Sequence, residues 1–342
     1  MSVTDRRGAP RSTERSPLLT PLSDTEHLRL VTRVAWLYHV RSMKQSEVAN
    51  ELGLSQSRVS RLLDIAVSMG IVKTTVRIPP GLHLEQEQDL KDCYGLLDAH
   101  VFDVPGHDDE AQFLRDLGQV LAGYLVDNPL EGDIIGFTSW SRTLRETVRV
   151  LDVVNPTGAS YVVELLGDVG PPDAQHDAAE VTRLLARNTG AQPRFLRVPG
   201  VVSDAEARRT ILDHDSHARE TLGLLDRVDE ALVAIGTLTV EPPLRPGENF
   251  FTHEQLEHVR SLGSVGQVNL RFINADGSVI DSELDDMVIG VSPEQLRSYR
   301  RSIAAAGGPS KHAAIRSALV GGWVNTLVTD TETANYLLAN AP

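Results

Sequence analysis

Gln45-Ser46-Glu47-Val48-Ala49-Asn50-Glu51-Leu52-Gly53-Leu54-Ser55-Gln56-Ser57-Arg58-Val59-Ser60-Arg61-Leu62-Leu63 reads as two short helices crossing at close range. Ala49 is small enough to sit where they touch. Gly53, four residues on, supplies the permissive backbone that a helix end needs for a sharp turn. Val48, Leu52, Leu54, Val59, Leu62 and Leu63 recur at helical spacing and predict a shared core. Ser55 is placed to cap the second helix. That helix then turns Gln56, Ser57, Arg58, Ser60 and Arg61 outward, a set suited to base edges and phosphates in a major groove. Small residue, turn glycine and apolar positions agree in one window, which predicts a helix-turn-helix for duplex DNA. Lys44 and Gln45, at the entry to the first helix, complete the expected contact set with Ser55.

Upstream, Thr25 to Val40 is an amphipathic pattern with Leu28, Val31, Val34, Ala35, Leu37 and Tyr38 facing inward and Trp36 at the hydrophobic edge. Residues 1–24 carry arginines, prolines and serines without an apolar signal core, so a disordered basic tail is expected. Downstream, Met69 to Ile78 predicts a helix stop and extended chain, a wing on which Lys73 and Arg77 would sit near phosphates. Pro79-Pro80-Gly81 breaks the chain. The expected division is therefore a tail (1–24), a DNA-binding domain (25–78), a linker helix (79–98, with Leu82 to Leu97 helical) and an α/β domain (99–342).

Charge supports that division. The whole chain of 342 residues has a net charge of −14. Residues 1–80 hold 12 Lys and Arg against 7 Asp and Glu, a net of +5, and the rest holds 21 against 40, a net of −19. A basic head on an acidic body confines phosphate contacts to the head. Hydrophobic content of 41% is enough for a large core, yet no apolar run approaches the ~20 residues of a membrane helix. Cys93 is the single cysteine, so no intramolecular disulfide forms, in keeping with a cytoplasmic setting.

From Ala99 onward short apolar runs alternate with helical patterns. Strands are predicted at His100–Val104, Asp133–Phe137, Ser160–Leu165, Pro193–Val198, Ala231–Ile235, Gln267–Phe272, Met287–Ile289, Arg301–Ala305 and Val324–Val328. Helices are predicted at Glu110–Val126, Trp140–Val150, Gln175–Asn188, Asp204–His214, His253–Leu262, Pro293–Ser298, Lys311–Val320 and Thr331–Leu338. This alternation predicts a mostly parallel sheet covered on both faces, with one antiparallel excursion at Asn274-Ala275-Asp276-Gly277.

Ligands of such sheets bind beyond the carboxyl ends of the strands. Three loops qualify. Gly136 to Leu144 offers the hydroxyls of Ser139, Ser141 and Thr143, a helix start and Arg142, either as an anion cradle or as plain helix capping. Ala306 to His312 offers Gly307, Gly308 and Lys311, the only lysine after Lys91; a cation in a first helical turn favours a bound anion. Gln267, Asn269 and Arg271 would share one face of an extended segment and suit a polyhydroxylated ligand. Asp168, at another strand end, would bind a hydroxyl or cap a turn. No Gly-x-Ser-x-Gly elbow, Walker loop or His-Glu-x-x-His occurs, and the His214/His217 pair lacks companion ligands, so neither catalysis, a cofactor nor a metal is expected.

In this order the features resemble the SorC family of bacterial sugar-responsive transcriptional regulators, grouped with the deoxyribonucleoside regulators. The segments that carry it include Val34–Tyr38, Gly53–Leu63, Ser139–Leu144, Glu164–Asp168, Ala231–Thr237, Gly266–Gly277, Ala306–Lys311 and Gly321–Asp330. The resemblance implies an effector domain similar to sugar-phosphate isomerases and CoA transferases whose catalysis is lost. It implies a phosphorylated sugar or sugar alcohol at the strand ends, with the Ser139–Thr143 loop, the glycines and Lys311 on the anionic group. Gln267 stands where the family often uses an acidic residue toward a sugar hydroxyl, and Asn274 where aspartate is expected, which leaves the ligand's identity open. Operator DNA and a homodimer or homotetramer are implied as partners. A sugar-phosphate isomerase with an appended DNA head, or a structural nucleoid binder, are the rival readings.

Overall fold

A computed structural model describes residues 24–73, 79–103, 109–151 and 157–342. The expected tail, Arg77 with most of the wing, and Val104 lie outside the described residues. The chain divides into two compact units at Arg77/Ile78.

The head is built on α1 (Asp24–Ala35), continued by a π-helical turn at Trp36–Val40, then α2 (Gln45–Leu52) and α3 (Gln56–Ser68). Val31, Val34, Ala35, Leu37, Val48, Ala49, Val59, Leu62, Leu63 and Ala66 form its buried core, with Leu52 and Leu54 packed at the edge. Gly53 ends α2 at φ 64°, ψ 34°. A side-chain-bearing residue there costs ~1 kcal/mol or more, because its Cβ crowds the following carbonyl. Two sequence expectations fail here. Leu28 is 43% exposed and Trp36 49% exposed, so neither belongs to the core. The helical repeat that buries Val31, Val34 and Ala35 turns Trp36 away, and Leu28, near the start of α1, borders a surface hollow with Thr32 and Trp36.

The body contains α4 (Leu84–Tyr94), β1 (Asp98–Phe102), α5 (Glu110–Asp127), β2 (Ile134–Phe137), α6 (Arg142–Val150), β3 (Tyr161–Glu164), α7 (Pro172–Thr189) and β4 (Gln192–Arg194). Then follow α8 (Ala205–His214), α9 (Ser216–Leu224), β5 (Glu230–Val233), β6 (Ile235–Gly236), α10 (His253–Ser261), β7 (Ser264–Val268) and β8 (Arg271–Asn274). The chain ends with α11 (Pro293–Ser298), β9 (Arg301–Ala305), α12 (His312–Val320), β10 (Thr326–Asp330) and α13 (Thr331–Ala339). Seven strands pair in the order β1-β10-β9-β5-β2-β3-β4, every pair parallel, and β6-β7-β8 form a small antiparallel sheet. Alternate strand residues enter different cores. Ile135, Phe137, Val162, Leu232, Ile303 and Val328 pack under α5, α6 and α7. Ile134, Val163, Ala231, Val233, Ala304 and Leu327 pack with residues of α4, α12 and α13. No helix among the described residues is long and apolar enough to cross a membrane.

Several expected elements shift. The linker helix expected over Leu82 to Leu97, with Leu84, Leu90 and Leu97 as partial anchors, is shorter and packs on the body: Leu90 is fully buried while Leu84 and Leu97 are exposed, Glu87 accepts the Val101 N–H at 2.9 Å and Gln86 donates to Asn335 at 2.7 Å. The edge strand β4 stops at Arg194, short of Val198. Met287–Ile289 is not a strand; it leaves a 3-10 turn, and only isolated bridges flank it. Its apolar side chains fill the core under the small sheet instead. The single strand expected over Gln267–Phe272 is a hairpin. β7 and β8 meet at a two-residue turn, Asn269 (φ 49°) and Leu270 (φ 63°), the positive-φ geometry that matches strand twist.

Candidate functional site

In the head, α3 carries most of the residues expected to contact DNA. The Ser55 hydroxyl accepts the Arg58 N–H at 3.3 Å and caps the helix, worth ~1 kcal/mol. Val59, Leu62 and Leu63 point into the core, which leaves Gln56, Ser57, Arg58 and Arg61 exposed and Ser60 partly so. Ser57 and Arg61, one turn apart, centre the free face. At the start of α2, the Lys44 N–H donates to Glu47 at 2.8 Å, and Lys44, Gln45 and Gln56 border one shallow hollow. Lys73 is exposed just before the chain leaves the described residues.

In the body, the parallel sheet has one place where the chain turns both ways. From β2 it runs outward to β3 and β4; from its neighbour β5 it runs outward to β9 and β10. At such a reversal the strand-end loops splay apart and leave a crevice. Here a cleft of about 830 Å³, its open mouth included, lies between the loop after β2 and the segment Ala234–Leu244 after β5. Gln267 of the small sheet and Lys311 complete it.

Arg142, at the start of α6, is gripped by Glu110 at 2.7 Å and by Glu241 across the cleft. Ser141 spends its hydroxyl capping α6, accepting the Leu144 N–H at 3.3 Å. Thr143 lines the cleft from a largely buried position, while Ser139 faces a smaller neighbouring cavity. Gln267 is 5% exposed and accepts the Leu270 N–H at 2.7 Å, which braces the hairpin turn. Gly236 is required beside it, since a Cβ there would sit 2.1 Å from the Gln267 amide nitrogen. Lys311 is the last residue of a 3-10 turn (Pro309–Lys311) and the cap of α12, so it lies just ahead of that helix's first turn. Its ammonium reaches only the Ile235 carbonyl, at 3.4 Å. Burial pushes its pKa down to about 8, the nearby Arg142 charge adds to this, and Glu110 opposes it.

Four expected ligand groups are held elsewhere. Asp168 is bound to Arg197 at 2.5 Å; burial raises its carboxyl above the usual range and Arg197 counters that. Arg271 is 3% exposed and donates to the Val291 carbonyl at 3.0 Å and the Asp285 carboxylate at 2.7 Å. Asn269 is fully buried in the turn and accepts the Thr138 hydroxyl at 2.8 Å, so it shares no open face with Gln267 or Arg271. Gly307 and Gly308 approach a protein carboxylate: the Gly308 N–H donates to Asp330 at 3.1 Å, and a Cβ on Gly307 would lie 2.1 Å from that carboxylate. Glu110, Trp140 and Glu241 were not anticipated. Glu241 and its neighbours follow a strand end, the one cue that marked them. Among the described residues no group of three or more His, Cys, Asp or Glu is placed to hold a metal.

A small helical head with exposed arginines on α3 and an α/β body with a switch-point cleft match the plan of a ligand-responsive transcriptional regulator. Residues 79–339 match the family model described as "Putative sugar-binding domain". The chain is 31% identical to the sorbitol operon regulator of Klebsiella pneumoniae, over 93% of this chain and 100% of that one. It is 32% identical to the deoxyribonucleoside regulator of Bacillus subtilis, over 92% and 99%. The crystal structure of the full-length Klebsiella regulator, SorC, superposes with a TM-score of 0.68 at 29% identity, covering 92% of this chain and 99% of that chain. The chain belongs to the SorC family of transcriptional regulators with a sugar-binding domain.

Proposed function

We propose that the cleft binds a phosphorylated sugar or sugar alcohol and that its occupancy sets the affinity of α3 for operator DNA. One observation carries the ligand class. Among the described residues no carboxylate pairs with the Lys311 ammonium, which is partly buried and held below its normal pKa. A desolvated cation without a counter-ion is met by an anion. Arg142 beside it is already paired with Glu110 and Glu241, so Lys311 carries the charge, and Thr143 and Gln267 offer polar atoms for hydroxyls. The relatives named for a sorbitol operon and for deoxyribonucleosides support a carbohydrate. The cleft's carboxylate, Glu241, is tied to Arg142 rather than poised as a free acid or base, which favours sensing over turnover. We infer a cytoplasmic homodimer or homotetramer whose paired heads span ~34–36 Å or a multiple.

A melting screen of the full chain against sugars, polyols and their phosphates tests this, because a ligand selective for the native state raises the midpoint. A phosphorylated compound is expected to give the largest shift; a panel in which no phosphorylated member shifts the midpoint would reject the reading. The pH dependence is set by Lys311. The free lysine titrates at about 8, and a bound phosphate raises that value. Binding therefore takes up a proton above pH 8, and affinity falls by up to ~10-fold per pH unit there. Calorimetry from pH 7 to 9.5 should show the fall in wild type and a flat profile in Lys311→Arg, whose charge does not titrate.

A further inference from the structure

Beside Trp140 lies a second, smaller cavity of about 380 Å³ with its open mouth included. It shares Trp140, Ser141, Arg142, Pro243 and Leu244 with the cleft and reaches on to Ser139, Arg145 and Asp177. Two N–H groups of residues that line it are buried without a hydrogen-bond partner: Trp140 Nε1 and Arg145 Nε. Buried donors are almost always met, and among the described residues no oxygen lies within hydrogen-bond reach of either: the Glu146 carboxylate stops 4.0 Å from Arg145 Nε. The charges say which kind of oxygen would meet them. Arg145 already has Asp177 at 3.7 Å and Glu146 at 4.0 Å, and Arg142 has Glu110 and Glu241. Two guanidiniums among four carboxylates leave no surplus positive charge for a second anionic group. A neutral hydroxyl fits.

We propose that this cavity is an extension subsite, in which Trp140 Nε1 and Arg145 Nε donate to hydroxyl oxygens at the far end of a linear polyol phosphate whose phosphate lies at Lys311. The inference rests on the phosphosugar reading of the cleft and adds a length requirement to it. On this proposal a longer chain such as a hexitol gains the contacts beyond Trp140, and a shorter one such as a tetritol does not.

The test is calorimetry on the full chain with glucitol 6-phosphate and erythritol 4-phosphate, using wild type, Trp140→Phe and Arg145→Lys. Phenylalanine keeps the aromatic wall and removes the N–H; lysine keeps the charge for Asp177 and removes Nε. Arg145→Lys, which touches only the smaller cavity, is expected to weaken the hexitol phosphate about 5- to 10-fold and to leave the tetritol phosphate unchanged; Trp140→Phe, whose ring also lines the cleft, is expected to weaken the hexitol phosphate more than the tetritol phosphate. Equal weakening of both compounds, or none for the hexitol, overturns the subsite and leaves the cleft reading intact. Binding of neither compound to wild type, together with a silent melting screen, removes the cleft reading and the subsite with it.

Discussion

Arg58→Ala should lower operator affinity by ~1–3 kcal/mol for each head engaged, roughly 5- to 150-fold in Kd per head, while effector affinity stays where it was. The reasoning starts from packing. Arg58 is exposed on α3, and its side chain is not part of the core made by Val59, Leu62 and Leu63. The cap bond to Ser55 uses the Arg58 backbone N–H, which alanine retains. The variant therefore folds, and its melting temperature should match wild type within a degree or two. What it loses is a guanidinium able to contact a guanine edge or a phosphate. Fluorescence anisotropy on DNA selected by the full chain reads the effect, and an unchanged Kd would exclude Arg58 from the interface. A uniform loss over all sequences would assign it to phosphate, and a loss confined to one base position to direct readout.

Lys311→Ala should weaken a phosphorylated effector by ~1.5–3 kcal/mol, roughly 10- to 150-fold, with DNA binding in its absence untouched. The free protein gives up little, since the ammonium makes one long bond of 3.4 Å to the Ile235 carbonyl. Removing a desolvated charge even relieves a cost, so the unliganded melting point should hold or rise. The ligand-induced shift should shrink. These opposite signs separate loss of a binding group from damage to the fold. Normal effector affinity in the variant would remove Lys311 from the site.

How far the chain could be read before its structure depends on where each residue's partner lies. The two short helices of the head and the turn between them were legible because their determinants are local: Ala49, Gly53, Ser55 and the apolar repeat all fall within a few turns. The parallel sheet was legible because strands buried on both faces leave short apolar runs. Lys311 stood out as a cation near a helix start, and the structure places it in the cleft. Asp168 and Arg271 were misplaced for the opposite reason. Their partners, Arg197 and Asp285, lie 29 and 14 residues away, and no local pattern announces them. The Asn269-Leu270 turn lacks a glycine and so looked like mid-strand. Tertiary packing overrides that propensity: Leu270 is 1% exposed in the core beneath, and Gln267 secures its N–H. Met287–Ile289 shows the reverse error, where an apolar run serves a core without joining a sheet.

The central claim is that one chain couples a DNA-reading helix to an anion-binding sugar cleft. The decisive measurement is a double titration of the full chain, with selected operator DNA and with the phosphorylated compound that most raises the melting point. The account predicts that the effector changes the Kd for DNA by roughly 5- to 150-fold, and that DNA changes the Kd for the effector by the same factor. Two affinities that do not depend on each other, both tight, would contradict it.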